Sequence, residues 1–342
     1  MAAVAALGAV ALTDAVRDRT TAEEGSDGRA TTAATTDGGT PAAATTDEVE
    51  PSVPRLPGGA ASGLLAFTAA GACELRAIDL RSGRMLQLPR LETSCELNAP
   101  RVGTRVAYST LDDEGLALRR FSILDLENPR ASFGDYLGYF WIAWGPDGST
   151  LAWCDTFRSG FELAGGQRPK RLHQCPQEYD PSGVLASVND RQEIVVGGRP
   201  LLKARRPVWQ FAWGIDGSLA VLVEGCRVDR YEGGRLVGAA RVPRSTPYFG
   251  RLDCPLGDIS SDLAPDNCAA LTVGGGYVRL VDLGCFQGGA PRNFKGVYAD
   301  WSPDGKWIAV AEADAVVFHR VVGPEASVRW DVAAGQLAWL GG

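Results

Sequence analysis

The chain has 342 residues, 45% of them hydrophobic, and a formal net charge of −7. That is ample apolar side chain for one large core or two ordinary ones, and the acidic balance leaves no basic footprint for nucleic acid. Two histidines, His173 and His319, argue against a multi-histidine metal centre, and eight cysteines without a CxxC pair favour disulfides in an oxidising compartment over zinc.

Met1 to Leu12 is almost wholly Ala, Val, Leu and Gly. It is shorter than the roughly 20 apolar residues of a spanning helix and lacks the positive segment that precedes a secretory apolar run. Residues 1–13 therefore read as the end of a signal or membrane anchor that begins upstream. A frayed Ala-rich terminus is the plain alternative. Residues 14–62 are rich in Thr and Ala, mildly acidic and without an aromatic residue. Such a stretch cannot bury enough to offset its ordering entropy, so a disordered linker, open to O-glycosylation, is expected.

From Gly63 the texture changes to short β-rich runs separated by Gly, Pro, Asn or Asp. Ala299-Asp300-Trp301-Ser302-Pro303-Asp304-Gly305-Lys306-Trp307 reads as strand, tight turn, strand. Pro303 presets φ at the second turn position, Asp304 suits the third, and Gly305 accepts the left-handed conformation that ends the turn. The pattern recurs at Ala143–Trp153 and, without the proline, at Ala212–Val221. Aligning the apolar strand after each turn gives seven units, anchored at Leu65, Val106, Leu151, Leu185, Leu219, Ala269 and Ile308. They recur about every 40 residues, the period of a four-stranded propeller blade. The expected fold is all-β: a propeller of seven four-stranded blades over residues 63–342. Merger of the short unit around Leu185 with a neighbour would leave six. The first unit lacks an innermost strand, so the carboxyl-terminal run Leu337–Leu340 is expected to close the ring and remove an open edge.

The Trp-Ser-Pro-Asp-Gly-Lys hairpin resembles the WD40-like (PD40-type) repeat of TolB-like bacterial β-propellers, over roughly Gly63 to Leu340. The resemblance implies the fold and says little about function. TolB-like proteins carry an amino-terminal α/β domain where this chain has a linker. The Gly-His and Trp-Asp signature of eukaryotic WD40 repeats is absent, with Trp330-Asp331 standing alone.

Blade geometry places b–c and d–a connections on one face and a–b and c–d turns on the other. Cys73–Cys95, Cys154–Cys175 and Cys226–Cys254 would each staple a blade to its successor on the first face. Cys268 and Cys285 are symmetric about the Gly274–Tyr277 turn and should face each other on paired strands. The aspartates that end third strands in Asp-Leu (Asp79, Asp125, Asp282) read as acceptors of turn amides. No Gly-x-Ser-x-Gly elbow, phosphate loop or dinucleotide fingerprint occurs, and no catalytic residue, cofactor or metal is assigned. His319 reads as structural.

The loop-bearing face gathers two sets of side chains. Acids fall at or near b–c loops: Asp112, Asp113, Glu114, Asp155, Asp190, Glu193, Glu312 and Asp314. Aromatics precede blades: Tyr136, Tyr139 and Phe140, then Tyr248 and Phe249. Solubility and packing between blades are the plainer roles for each. Together they mark a binding face, with Tyr136, Tyr139, Phe140, Tyr248 and Phe249 as anchors and Asp112, Asp113 and Glu114 setting charge preference. The reading is a monomeric, extracytoplasmic scaffold, held at the membrane only through its amino-terminal anchor, that binds an envelope protein or a glycan or peptide ligand. The alternative is a propeller enzyme of lactonase or lyase type with an acid-lined, cation-dependent central pocket.

Overall fold

The computed structural model describes residues 63–72, 74–89, 96–110, 120–129, 132–137, 142–155, 159–164, 168–173, 175–242, 263–285 and 292–341. The chain divides into two units, Met1–Val49 and Glu50–Gly342. The first, with the expected anchor and most of the linker, lies outside the described residues. The second is a seven-bladed β-propeller, and every described element in it is a strand.

Blade 2 runs from Leu97–Asn98 to Ser132–Leu137, blade 3 from Ile142–Trp144 to Lys170–Leu172, and blade 4 from Glu178–Tyr179 to Arg199–Lys203. Blade 5 runs from Val208–Trp213 to Arg235–Arg241, and blade 7 from Tyr298–Trp301 to Ser327–Trp330. Each is a four-stranded antiparallel meander. The unit around Leu185 is a blade in its own right. In blade 6 the three strands Ala269–Gly274, Tyr277–Asp282 and Arg292–Lys295 are joined by a single bridge from Leu263 to Ala270, which stands in for an inner strand. Blade 1 is closed as expected: Ala334–Leu340 pairs with Leu64–Ala69 in the register Leu64↔Leu340, Leu65↔Trp339, Ala66↔Ala338 and Phe67↔Leu337.

The turns between first and second strands show why these residues form these hairpins. Six share one position in the left-handed region: Gly103, Gly148, Gly183, Gly217, Asn267 and Gly305, with φ between 55° and 101°. At Gly148 a side chain is excluded twice over, because a Cβ would lie 1.8 Å from the Val102 carbonyl oxygen of the neighbouring blade. Where the turn carries an aspartate before that position, it accepts amides ahead of it: Asp147 Oδ1 from Ser149 N (3.0 Å), Asp216 Oδ1 from Ser218 N (2.9 Å) and Asp304 Oδ1 from Lys306 N (3.1 Å). The Ser149 hydroxyl and the Ser149 and Thr150 amides hold the Asp147 carboxyl below its usual range. Asp79, Asp125 and Asp282 accept turn amides in the same way, as their Asp-Leu context suggested.

The core is not one mass. Among the described residues it consists of seven apolar clusters, one in each seam between neighbouring blades. A second strand buried on both faces reads as a continuous apolar run, not an alternating one. Leu219–Val223 and Trp307–Ala311 are buried at every residue. The aromatic seam between blades 7 and 1 is the largest of these clusters, and that between blades 3 and 4 the smallest.

Candidate functional site: the central channel and its two faces

The inner strands present their edges to the ring axis and leave a channel of about 910 Å³. All seven blades line it. The turn end is a collar built from the first residue of each a–b turn: Arg101, Pro146, Pro181, Ile215, Pro265 and Pro303. Two members of this collar depart from proline, Ile215 in blade 5 and Arg101 in blade 2, and Arg101 alone among them is charged. Its guanidinium reaches across the ring to the opposite blades, where Nη1 donates to the carbonyls of Trp213 (3.1 Å) and Pro265 (3.3 Å) and Nη2 to that of Leu263 (3.2 Å). The turn end is thus spanned by one cationic strut.

The wall above the strut is aromatic and amide-rich. Trp144 and Trp213 are half-buried, and the Trp144 indole donates to Asn98 Oδ1 at 2.6 Å. Gln336 links three blades: its Oε1 accepts from Leu97 N, and its Nε2 donates to the Tyr298 hydroxyl at 2.9 Å. Four carboxylates line the channel: Glu96, Glu178, Asp180 and Asp300. Asp180 is engaged by the amides of its own turn, Ser182 and Val184. Glu96 accepts from the Ser109 hydroxyl and Glu178 from the Tyr179 amide.

Asp300 accepts the Trp301 amide at 2.7 Å and the Trp339 amide of the closing strand at 2.6 Å, so it ties blade 7 to blade 1. Burial pushes its carboxyl up to about 7, against the opposing pull of the two amides and of the Arg101 charge. The group lies deep in the wall while its residue keeps a partly accessible face on the channel, so channel water tempers that shift.

The acids expected near b–c loops do not line the channel where they are described. Asp155 Oδ1 accepts from Ser159 N, and Glu193 accepts from the Asn189 side-chain amide. Glu312 and Asp314 both bind Arg329, at 2.9 Å each. Among the described residues no cluster of three or more His, Cys, Asp or Glu has metal-site geometry. His319 lies in the third strand of blade 7 with its ring against Phe294, centroids 4.5 Å apart. Of the aromatic anchors, Tyr136 packs on Phe121 (5.5 Å) and Trp153 (5.1 Å) in the seam between blades 2 and 3, and burial raises its hydroxyl. Tyr139, Phe140, Tyr248, Phe249, Asp112, Asp113 and Glu114 lie outside the described residues.

Two expected disulfides are present, Cys154–Cys175 (Cα–Cα 5.4 Å) on the loop face and Cys268–Cys285 (5.2 Å) at the turn face. Cys226 is also disulfide-bonded; Cys73, Cys95 and Cys254 lie outside the described residues. The sequence missed two features of the turn face. It passed over the turns at 101–103, 181–183 and 265–267, where Pro, Asp or Gly is replaced and only the left-handed third position is common to all. The second feature is apolar: Val102 and Ile215 stand on that face 51% and 65% exposed.

No protein-family model matches the chain, and no curated protein matches it by sequence. Solved structures resemble its fold. The mitotic checkpoint complex contains a chain 13% identical, with a TM-score of 0.50, over 80% of this chain and 93% of that one. The β-propeller domain of Swd1 from Myceliophteria thermophila is 14% identical over 73% and 93%, with a TM-score of 0.45. Dihydro-heme d1 dehydrogenase NirN is 14% identical over 84% and 77%, also at 0.45. At such identities the likeness is one of fold alone.

Proposed function

We propose that this protein is an extracytoplasmic binding scaffold: a monomeric propeller, held at the envelope through its amino-terminal segment, that presents its loop face to a protein, glycan or peptide partner. The observation that carries this reading is the asymmetry of the two faces. The a–b turns of the turn face are tight and clasp their neighbours, as where Gly103 N donates to Gly341 O and Ile215 N to Pro265 O. On the other face the strands that flank residues 111–119, within blade 2, and 242–262, between blades 5 and 6, come to their ends. Connections between strand ends on a rigid frame are free to carry recognition. Gly63 lies beside Leu340 on the turn face, so the first described strand starts on the face opposite the proposed binding surface. The disulfides favour an oxidising compartment, and the hairpin repeat supports kinship with TolB-like propellers of the bacterial envelope.

The test is affinity capture from envelope extract with the full chain, followed by Tyr139→Ala and Phe249→Ala. Each is expected to weaken the captured complex by about 1 kcal/mol or more while leaving the melting temperature near that of the parent. Unchanged affinity in both would overturn the loop-face assignment.

A further inference from the structure

We propose that the central channel binds an organic cation, an ammonium or guanidinium group carried either by a small molecule or by a basic side chain of a peptide. The inference goes beyond the loop-face reading, because it concerns a different surface and stands or falls separately from Tyr139 and Phe249.

Three independent features support it. The first is the sign of the field. Among the described residues the channel is lined by Glu96, Glu178 and Asp180, with the partly protonated Asp300 deeper in the wall, against the single cation Arg101. A concave site lined by one sign of charge with low-dielectric walls concentrates the opposite sign. The second is the aromatic wall. Trp144 and Trp213 are half-buried, and Tyr298 is 42% exposed where the inner strand of blade 7 begins. Ring faces attract a cation most where water is partly excluded.

The third is internal to the fold. The turn end already holds a guanidinium, that of Arg101, on backbone carbonyls at 3.1–3.3 Å: those of Trp213 at the end of an inner strand, of Leu263 and of the turn residue Pro265. The axis of this ring therefore already accommodates one organic cation on neutral acceptors, and a second cation entering from the loop face meets the same chemistry together with the carboxylates. An anion meets the reverse: the one fixed cation there has its donors engaged by carbonyls, and the remaining charge is repulsive.

The experiment uses the full chain with three probes, read by calorimetry and tryptophan fluorescence. These are arginine amide, the same group within an Ala-Arg-Ala peptide, and citrulline amide, in which a neutral urea replaces the guanidinium. Arginine amide is expected to bind at least tenfold more tightly than citrulline amide, and its affinity to fall as salt rises. Glu96→Gln with Glu178→Gln should weaken it about fivefold or more. Should the double variant fold poorly, the salt dependence and the citrulline comparison on the parent protein still decide. Binding of the peptide as well identifies a basic side chain as the natural occupant; binding of arginine amide alone identifies a small molecule. Equal affinity for citrulline amide, or no saturable binding of either cationic probe, overturns the proposal.

Discussion

The seam between blades 7 and 1 and the seam between blades 3 and 4 meet the same packing requirement by different means. The first is filled with rings and aliphatic side chains: Trp307, Phe318, Trp330 and Trp339 meet Phe67, Leu65, Ile78 and Leu80. Phe67 stands edge-on to Trp330 and Phe318 edge-on to Trp339, with centroids 5.4 and 5.5 Å apart. Among the described residues the second has only Ala143, Ala152 and Tyr179 buried, with Leu172 and Leu185 at its margin. It makes up the deficit with polar and covalent ties. The Tyr179 hydroxyl donates to Glu162 Oε1 at 3.0 Å across the seam, and Cys154–Cys175 joins the second strand of blade 3 to the start of blade 4. Burial first, and the Glu162 carboxylate second, push the Tyr179 hydroxyl well above its ordinary range, so it serves as a fixed donor.

The difference follows from where the chain is continuous. Blades 3 and 4 are consecutive, and their association closes only a short loop. Blade 1 is completed by a strand from the far end of the ring, so its closure carries the largest loop entropy in the molecule. It has no covalent tie of its own among the described residues. It is therefore held by the area it buries, at about 1.5–3 kcal/mol for each large apolar side chain.

The largest effect expected is at the closing seam. Phe318→Ala should cost about 3–5 kcal/mol, measured by urea unfolding, and should unfold the ring as a whole. A cost below about 1 kcal/mol would mean that this seam is no better packed than the thin one. Removal of the staple by Cys154→Ser with Cys175→Ser comes next, at about 2–4 kcal/mol. Here hydrogen exchange should show blades 3 and 4 losing protection before blades 7 and 1. Uniform loss around the ring would erase the contrast between the seams. Tyr179→Phe should cost about 1 kcal/mol by loss of one hydrogen bond, and the loss should be no larger in the stapled than in the unstapled protein if the two ties act independently.

The smallest effect expected is the pH response of Asp300. Its carboxyl titrates near 7 in the folded ring, above its ordinary value of 3.8. Between those values the folded protein keeps a proton that the unfolded chain releases, so this group's contribution to stability falls as pH rises from about 4 to about 7 and is constant above. Thermal melts at pH 5 and pH 8 should therefore differ more for the parent than for Asp300→Asn. Parallel behaviour of the two would show that Asp300 stays ionised throughout.

Much of this architecture is legible in the residues alone, because it rests on local chemistry. A proline that presets φ, an aspartate that accepts the amides ahead of it and a glycine that takes the left-handed position need no distant partner, so Pro303-Asp304-Gly305 marks its hairpin by itself. Repetition of that unit determined the blade count, and the absence of an inner strand before Gly63 determined that the carboxyl terminus must return to it. The Cys268–Cys285 pair followed from hairpin symmetry in the same way. The channel is another matter. Arg101 occupies a turn position that holds proline in four of the other blades and isoleucine in blade 5, and its three acceptors lie 112, 162 and 164 residues away. Asp300 reads as an ordinary strand residue until Trp339 arrives on the closing strand. Tyr136, in an outer strand, is an anchor or a packing residue depending on whether Trp153 of the next blade stands against it. A local rule fixes a turn; which side chains meet at the axis or in a seam depends on bringing seven separate blades into one ring, and only the tertiary structure decides that.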